Sequence, residues 1–128
     1  MDPLTEEWVS RAEGDATTCD VLLATGRLET AGAIGFHAQQ CAEKYLKARL
    51  HEARLPVPRI HDLVVLLHQV AAVEPKWATW RSSLTFLSGF AVDRRYPGAP
   101  TTWPEAERAT EICRQFRAAA RQALGLPT

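Results

Sequence analysis

Three polar residues recur at helical spacing in the middle of the sequence, namely Gln40, Lys44 and Lys47. On a helix, residues three and four positions apart lie on one face, so these side chains converge on a single patch. Two ammonium groups beside an amide can bind phosphate or another anion. The alternative is a solvated helix face on which Glu43 and Lys47 form an ion pair worth only about a few tenths of a kcal/mol. The spacing alone leaves both interpretations open.

A second group of candidate residues is the arginine pair Arg94 and Arg95, followed directly by Tyr96 and Pro97. Arginine binds phosphate through two parallel hydrogen bonds, and a tyrosine ring can stack on a nucleobase. The same pattern is also typical of a helix end, where arginines complement the helix dipole and proline stops the helix. The sequence therefore favours neither a phosphate site nor a plain helix terminus here.

The pair His61 and Asp62 follows a proline-containing connection, and Arg54 precedes His61 with six residues between them. An aspartate near a helix start is a capping residue, so Asp62 has a structural interpretation beside a functional one. No Gly-rich phosphate loop, nucleophile elbow or zinc signature occurs, so the sequence predicts no metal and no cofactor. The other histidines share no metal-ligand spacing with one another or with a carboxylate pair: His37, His51 and His68.

Length and composition limit the classes of protein that remain. The chain has 128 residues, which predicts a single domain spanning residues 1–128. Lysine plus arginine and aspartate plus glutamate both number 15, so no overall positive field attracts nucleic acid, and an anion site must be a local cluster. We expect the three cysteines to be reduced core residues, and we expect a cytoplasmic protein without a signal peptide or membrane span.

Apolar residues recur with helical period nearly throughout, which predicts an all-α protein. Short connections between amphipathic helices favour an antiparallel up-down bundle of four to five helices. The expected helices cover residues 3–25, 29–53, 60–73, 76–93 and 104–124.

One carboxylate falls on an apolar stripe. The stripe of the first helix includes Trp8, Ala12 and Cys19, and Asp15 lies among them. A carboxylate in that position needs a cationic or hydrogen-bonding partner on a neighbouring helix. The arginines at positions 94 and 95 are candidates for that partner.

The run from Phe36 to Ala48 reads F-x-x-Q-Q-x-x-E-K-x-L-K-A, and it resembles the HEPN domain family of prokaryotic proteins. Two further motifs stand in the family's order: His61-Asp62-Leu63 at the start of the third helix, and Arg95-Tyr96-Pro97 before the last. The first helix fits the family pattern A-E-x-D-L loosely through Glu13, Asp15 and Ala16, since Thr17 replaces the leucine. The resemblance covers about residues 8–124.

The resemblance implies a bundle of four or five helices that commonly forms a homodimer. It also implies nucleotide or RNA binding. Many members act beside a minimal nucleotidyltransferase, often as toxin–antitoxin pairs. Several branches of the superfamily are endoribonucleases that use an arginine and a histidine, four to six residues apart, near the start of the last helix.

This sequence departs from the ribonuclease pattern, because no histidine follows Arg95. A metal-independent endoribonuclease would have to use Arg54 and His61, or a variant centred on Arg95, and this is the enzyme alternative. A third alternative is a helical protein-interaction module that binds no nucleotide. The leading hypothesis is nucleotide or RNA binding, with Asp15, Glu43 and Asp62 in supporting roles. The residues expected to contact the ligand are Gln40, Lys44, Lys47, His61, Arg94, Arg95 and Tyr96.

Overall fold

The computed structural model describes residues 1–91 and 99–128. These residues form five α-helices and no strand, which confirms the predicted all-α bundle. Two short 3₁₀ segments, Leu28–Thr30 and Pro75–Trp80, precede the second and fourth helices. The helices are α1 (Pro3–Thr25), α2 (Ala31–Glu52), α3 (Leu63–Val70), α4 (Arg81–Ser88) and α5 (Trp103–Ala123).

Capping residues set both ends of the first helix and the start of the last helix. At the start of α1 the Asp2 carboxylate accepts a hydrogen bond from the Leu4 N–H at 2.8 Å, and at its end Gly26 has φ 65°. Glycine adopts this left-handed conformation without the steric cost of a Cβ atom. At the start of α5, Thr102 and Glu105 form a reciprocal capping box. The bounds predicted for the first helix are therefore confirmed, and those of the last differ by one residue at each end.

The middle helices are shorter than the periodicity predicted. The third helix starts at Leu63, not at residue 60, because the Asp62 carboxylate accepts hydrogen bonds from the N–H groups of Val64 and Val65 at 2.9 and 3.1 Å. This confirms the capping interpretation of Asp62. The predicted fourth helix is divided, since its first turns are a 3₁₀ segment and α4 ends at Ser88, before Gly89.

The second helix is the centre of the bundle, and it contacts α1, α3, α4 and α5. Small residues such as Ala38, Ala42 and Ala48 are fully buried along it and allow neighbouring helices to approach closely. Gly35 is the extreme case, because a Cβ atom there would lie 2.4 Å from the Phe90 ring. This helix is consequently surrounded on most of its circumference, which decides the environment of its polar residues.

The three cysteines are free and buried, as predicted. Cys19, Cys41 and Cys113 come from α1, α2 and α5 and belong to one hydrophobic cluster. Among the described residues, no helix is long and apolar enough to cross a membrane.

Candidate functional site

Asp15 of α1 is the first of two buried carboxylates that face the polar residues of α2. It is 7% exposed. Its Oδ2 lies 2.5 Å from Lys44 Nζ, and its Oδ1 lies 2.8 Å from His37 Nδ1. The partner that a carboxylate on this stripe requires is thus a lysine of α2 together with an imidazole. Two helices are joined by this contact.

Glu43 is the second buried carboxylate, and it has three different partners. Its side chain and that of Lys47 are 5% and 6% exposed, with 3.1 Å between Oε2 and Nζ. The ring nitrogen Nδ1 of His61 lies 3.1 Å from both carboxylate oxygens. Gln39 donates one hydrogen bond to Glu43 Oε1 and another to the backbone carbonyl of His61, both at 3.2 Å. Glu43 therefore holds the connection before α3 against α2.

The hydrogen-bonded network around Glu43 ends at His61 on one side and at Gln40 on the other, and these two residues differ in exposure. The His61 side chain is 69% exposed, although its Nδ1 is engaged by a buried carboxylate. Gln40 is half-buried, and its Nε2 donates to Gln39 Oε1 at 2.7 Å. A continuous chain of hydrogen bonds thus runs from Gln40 through Gln39 and Glu43 to the exposed imidazole.

The interpretation of the stripe as a solvated helix face is wrong for Glu43 and Lys47, because both side chains are buried. Lys44 is intermediate, with a side chain that is 21% exposed. The Glu43–Lys47 ion pair exists at the expected i,i+4 spacing, but it lies in the interior, where removal of one partner costs far more than at a surface.

The charges of this site are balanced by pairs. Asp15 is paired with Lys44 and Glu43 with Lys47, so two carboxylates face two ammonium groups. An ammonium group has three donors, and the contacts between these pairs use one donor of each lysine. Lys44 retains donors for an incoming anion, while Lys47 is enclosed and orients Glu43.

Trp8 contributes to this site although its place on an apolar stripe suggested only a core residue. It is half-buried, and Lys47 Nζ lies 5.6 Å from the centroid of its ring. An ammonium group at this distance is attracted to the ring face. Gln39 was also missed, although its i,i+4 spacing from Glu43 is a signal for the hydrogen bond that the two residues make.

Arg54 and His61, the candidate pair of the endoribonuclease alternative, are joined by no contact in the described part of the chain. Arg54 is exposed, has φ 59°, and its backbone N–H donates to the His51 carbonyl at 2.9 Å. None of the contacts of the described residues joins its guanidinium to His61. The other predicted residues, Arg94, Arg95 and Tyr96, lie outside the described residues.

A separate polar cluster joins α1, α2 and α5. Arg117 donates two hydrogen bonds to Glu13, at 2.7 and 2.6 Å, and the fully buried Tyr45 donates to the same carboxylate at 2.5 Å. The Arg117 guanidinium holds the pKa of Glu13 below its usual value, with Tyr45 and Arg121 adding to the effect. Burial, assisted by the Glu13 charge, raises the pKa of Tyr45. This arrangement stabilises the bundle and keeps Tyr45 protonated.

Within residues 1–91 and 99–128, no group of three or more histidine, cysteine, aspartate or glutamate side chains is arranged to hold a metal ion. The donors that the site presents are the exposed imidazole of His61, the amide of Gln40 and the ammonium group of Lys44. All three are held in place by buried partners. Such an arrangement suits recognition of an anionic, hydrogen-bonding ligand.

Comparison with protein families matches this chain to the HEPN domain over residues 5–123. The matched region covers the five helices described above, apart from the first two residues of α1, and the whole polar network. The chain belongs to the HEPN domain family, a family connected with nucleotides and RNA. No curated protein and no solved structure matches this chain significantly.

Proposed function

We propose that this HEPN domain binds a nucleotide or a segment of RNA, with its phosphate held at Gln40, Lys44 and His61. The observation that carries the proposal is that these three donors are fixed by buried partners. Lys44 is 2.5 Å from Asp15, and His61 is 3.1 Å from Glu43. Donors that are already oriented lose little side-chain entropy when a ligand binds.

Each buried residue has a defined role in this proposal. Asp15 orients Lys44, and Lys47 orients Glu43, which in turn holds Nδ1 of the exposed His61. Because Nδ1–H is donated to the Glu43 carboxylate, the Nε2 atom is the nitrogen that meets the ligand, and it donates to phosphate in the protonated form of the imidazole. Because Lys47 is only 5% exposed, it acts through Glu43 and not by direct contact with phosphate.

The arginines and the tyrosine of the Arg94-Arg95-Tyr96 motif complete the proposed site. The arginines supply further positive charge for phosphate, and Tyr96 supplies a ring for stacking. This part of the proposal is supported by the residue types and by membership of the HEPN family. The additional charge matters because the lysines are each paired with a carboxylate.

The proposed setting follows from the family resemblance. We propose that the chain works in the cytoplasm as a homodimer, together with a minimal nucleotidyltransferase, in a toxin–antitoxin-like system. A reading frame for a minimal nucleotidyltransferase beside this gene, and co-purification of the two products, would support this setting. Co-expression that yields no complex would contradict it.

Titration followed by NMR tests the binding proposal. Nucleoside monophosphates and a short RNA should shift the backbone amide signals of Gln40 and Lys44. Gln40→Ala and Lys44→Met should each weaken binding by about tenfold to a hundredfold, since a hydrogen bond to a charged group contributes roughly 1.5–3 kcal/mol. Lys76→Met is the matched control, because Lys76 is exposed and lies in the 3₁₀ segment before α4.

Other outcomes assign other functions. Amide signals that stay unmoved at millimolar nucleotide and with RNA would refute the proposal and leave the protein-interaction module. Cleavage of RNA that is lost in both Arg54→Ala and His61→Ala would instead assign an endoribonuclease. Thermal melts of every variant separate lost binding from lost folding, which matters most for Lys44→Met because it removes a partner of the buried Asp15.

A further inference from the structure

The exposed face at the start of α1 carries four residues that line a cavity of about 300 Å³: Leu4, Glu7, Trp8 and Arg11. Their spacing of three, four and seven residues places them on one side of the helix. Leu4 is 54% exposed and Trp8 is half-buried, so the cavity presents apolar surface to solvent. Glu7 and Arg11 form an ion pair of 3.0 Å beside the indole ring, with side chains 56% and 64% exposed.

This cavity adjoins the proposed phosphate site through Lys47. The Lys47 ammonium lies 5.6 Å from the centroid of the Trp8 ring and 3.1 Å from Glu43, which holds His61. Along α1, Trp8 lies seven residues before Asp15, which holds Lys44, and this is about 10.5 Å along the helix axis. A ligand that occupies both places must span this distance, as an extended nucleotide or a short RNA segment does.

The indole ring is fixed before any ligand arrives. It packs against the hydrophobic core and is held by the Lys47 charge. A fixed, partly exposed aromatic ring is the platform on which proteins stack single nucleobases. Leu4 and Trp8 give the cavity an apolar surface against which the face of a base can pack.

We propose that Trp8 stacks a guanine base, whose edge is read by Glu7 and Arg11; this proposal rests on the proposed function above. Guanine has two adjacent donors, N1–H and the N2 amino group, that match the two oxygens of a carboxylate. Its acceptors O6 and N7 match the two N–H groups of a guanidinium. Adenine, cytosine and uracil each lack the adjacent pair of donors, so only guanine satisfies Glu7 with two hydrogen bonds.

Calorimetric titration with GMP, AMP, CMP and UMP tests this proposal. The unmodified protein should bind GMP about tenfold more tightly than the others. Trp8→Leu should weaken all four ligands by about tenfold, and Trp8→Phe should retain most of the affinity because it keeps a ring. Glu7→Gln should abolish the preference for GMP while leaving AMP affinity unchanged.

The control is Arg27→Gln, which removes an equally exposed ion pair, Arg27–Glu29, beyond the other end of α1. This variant should bind all four nucleotides with the same affinity as the unmodified protein. Four ligands bound equally by the unmodified protein, or affinities unaffected by Trp8→Leu and Glu7→Gln, would overturn the guanine site and leave phosphate binding at Lys44 standing. Absence of binding by all four ligands and by a guanine-containing RNA would overturn both proposals.

Discussion

Replacing Lys47 by methionine removes a charge from the interior while nearly preserving side-chain volume. The Lys47 ammonium is 3.1 Å from Glu43 and 5.6 Å from the centre of the Trp8 ring. In Lys47→Met the Glu43 carboxylate, 5% exposed, keeps two partners among residues 1–91 and 99–128, Gln39 and His61. The variant must therefore hold a carboxylate in the interior with one cation fewer.

The size of the effect follows from the burial of both partners. Removal of one member of a buried ion pair destabilises a protein by roughly 3–5 kcal/mol. Because Glu43 keeps its contacts with Gln39 and His61, we expect a loss at the lower end of this range, about 3 kcal/mol. This is a large part of the total stability of a typical domain. For a chain of this length it corresponds to a fall in Tm of about 12 °C, at about 4 °C per kcal/mol.

Urea unfolding followed by circular dichroism measures the change in the free energy of unfolding. Lys76→Met makes the same replacement at an exposed lysine and should change that free energy by less than about 0.5 kcal/mol. The double variant Glu43→Gln/Lys47→Met removes both charges and keeps a side-chain oxygen that can accept hydrogen bonds from Gln39 and His61. Because no buried charge is then left without its partner, its stability should return to within about 1 kcal/mol of the original.

The reasoning would be refuted if Lys47→Met were no less stable than Lys76→Met. It would also be refuted if the double variant were less stable than Lys47→Met alone, because the penalty would then come from lost packing and not from an unpaired carboxylate.

Four other substitutions test the packing, the caps and the titration of the bundle. Gly35→Ala should destabilise by about 1–3 kcal/mol because its methyl group overlaps the Phe90 ring, whereas Gly14→Ala, with open space, should stabilise by about 0.5–1 kcal/mol; equal melting temperatures would contradict this. Thr102→Ala should lose about 1 kcal/mol in chemical denaturation, and no loss would mean that the capping box is not formed in solution. Since its pKa is lowered in the folded state, Glu13 stabilises above its ordinary pKa of 4.5, so the deficit of Glu13→Gln seen at neutral pH should vanish as the pH falls through the folded-state value. A deficit that persists in acid would contradict the ion pair as its source.

Local features of the sequence predicted the fold well. The first helix begins and ends as expected because its signals, Asp2, Pro3 and Gly26, act on the adjacent backbone. The third helix starts later than its apolar periodicity indicated, because periodicity continues through residues that are not helical. There the Asp62 cap was the better guide to the boundary.

The polar network was only half predictable. Helical geometry placed Gln40, Lys44 and Lys47 on one arc, but it contains no information on what covers that arc. Glu43 and Lys47 are buried because α2 has neighbours on most of its sides, which is a tertiary property. The need of Asp15 for a partner was predictable from its apolar surroundings, whereas the identity of that partner, Lys44, depends on how α1 and α2 align.

The central position of α2 has a consequence for how this domain can change over evolution. Substitution of Glu43 or Lys47 is selected against through folding, whatever the domain binds, because each leaves a buried charge without its partner. Invariance of these positions among relatives would therefore report the integrity of the bundle and not a shared ligand. Ligand preference can diverge at the more exposed positions around them, such as Gln40 and His61, without endangering the fold.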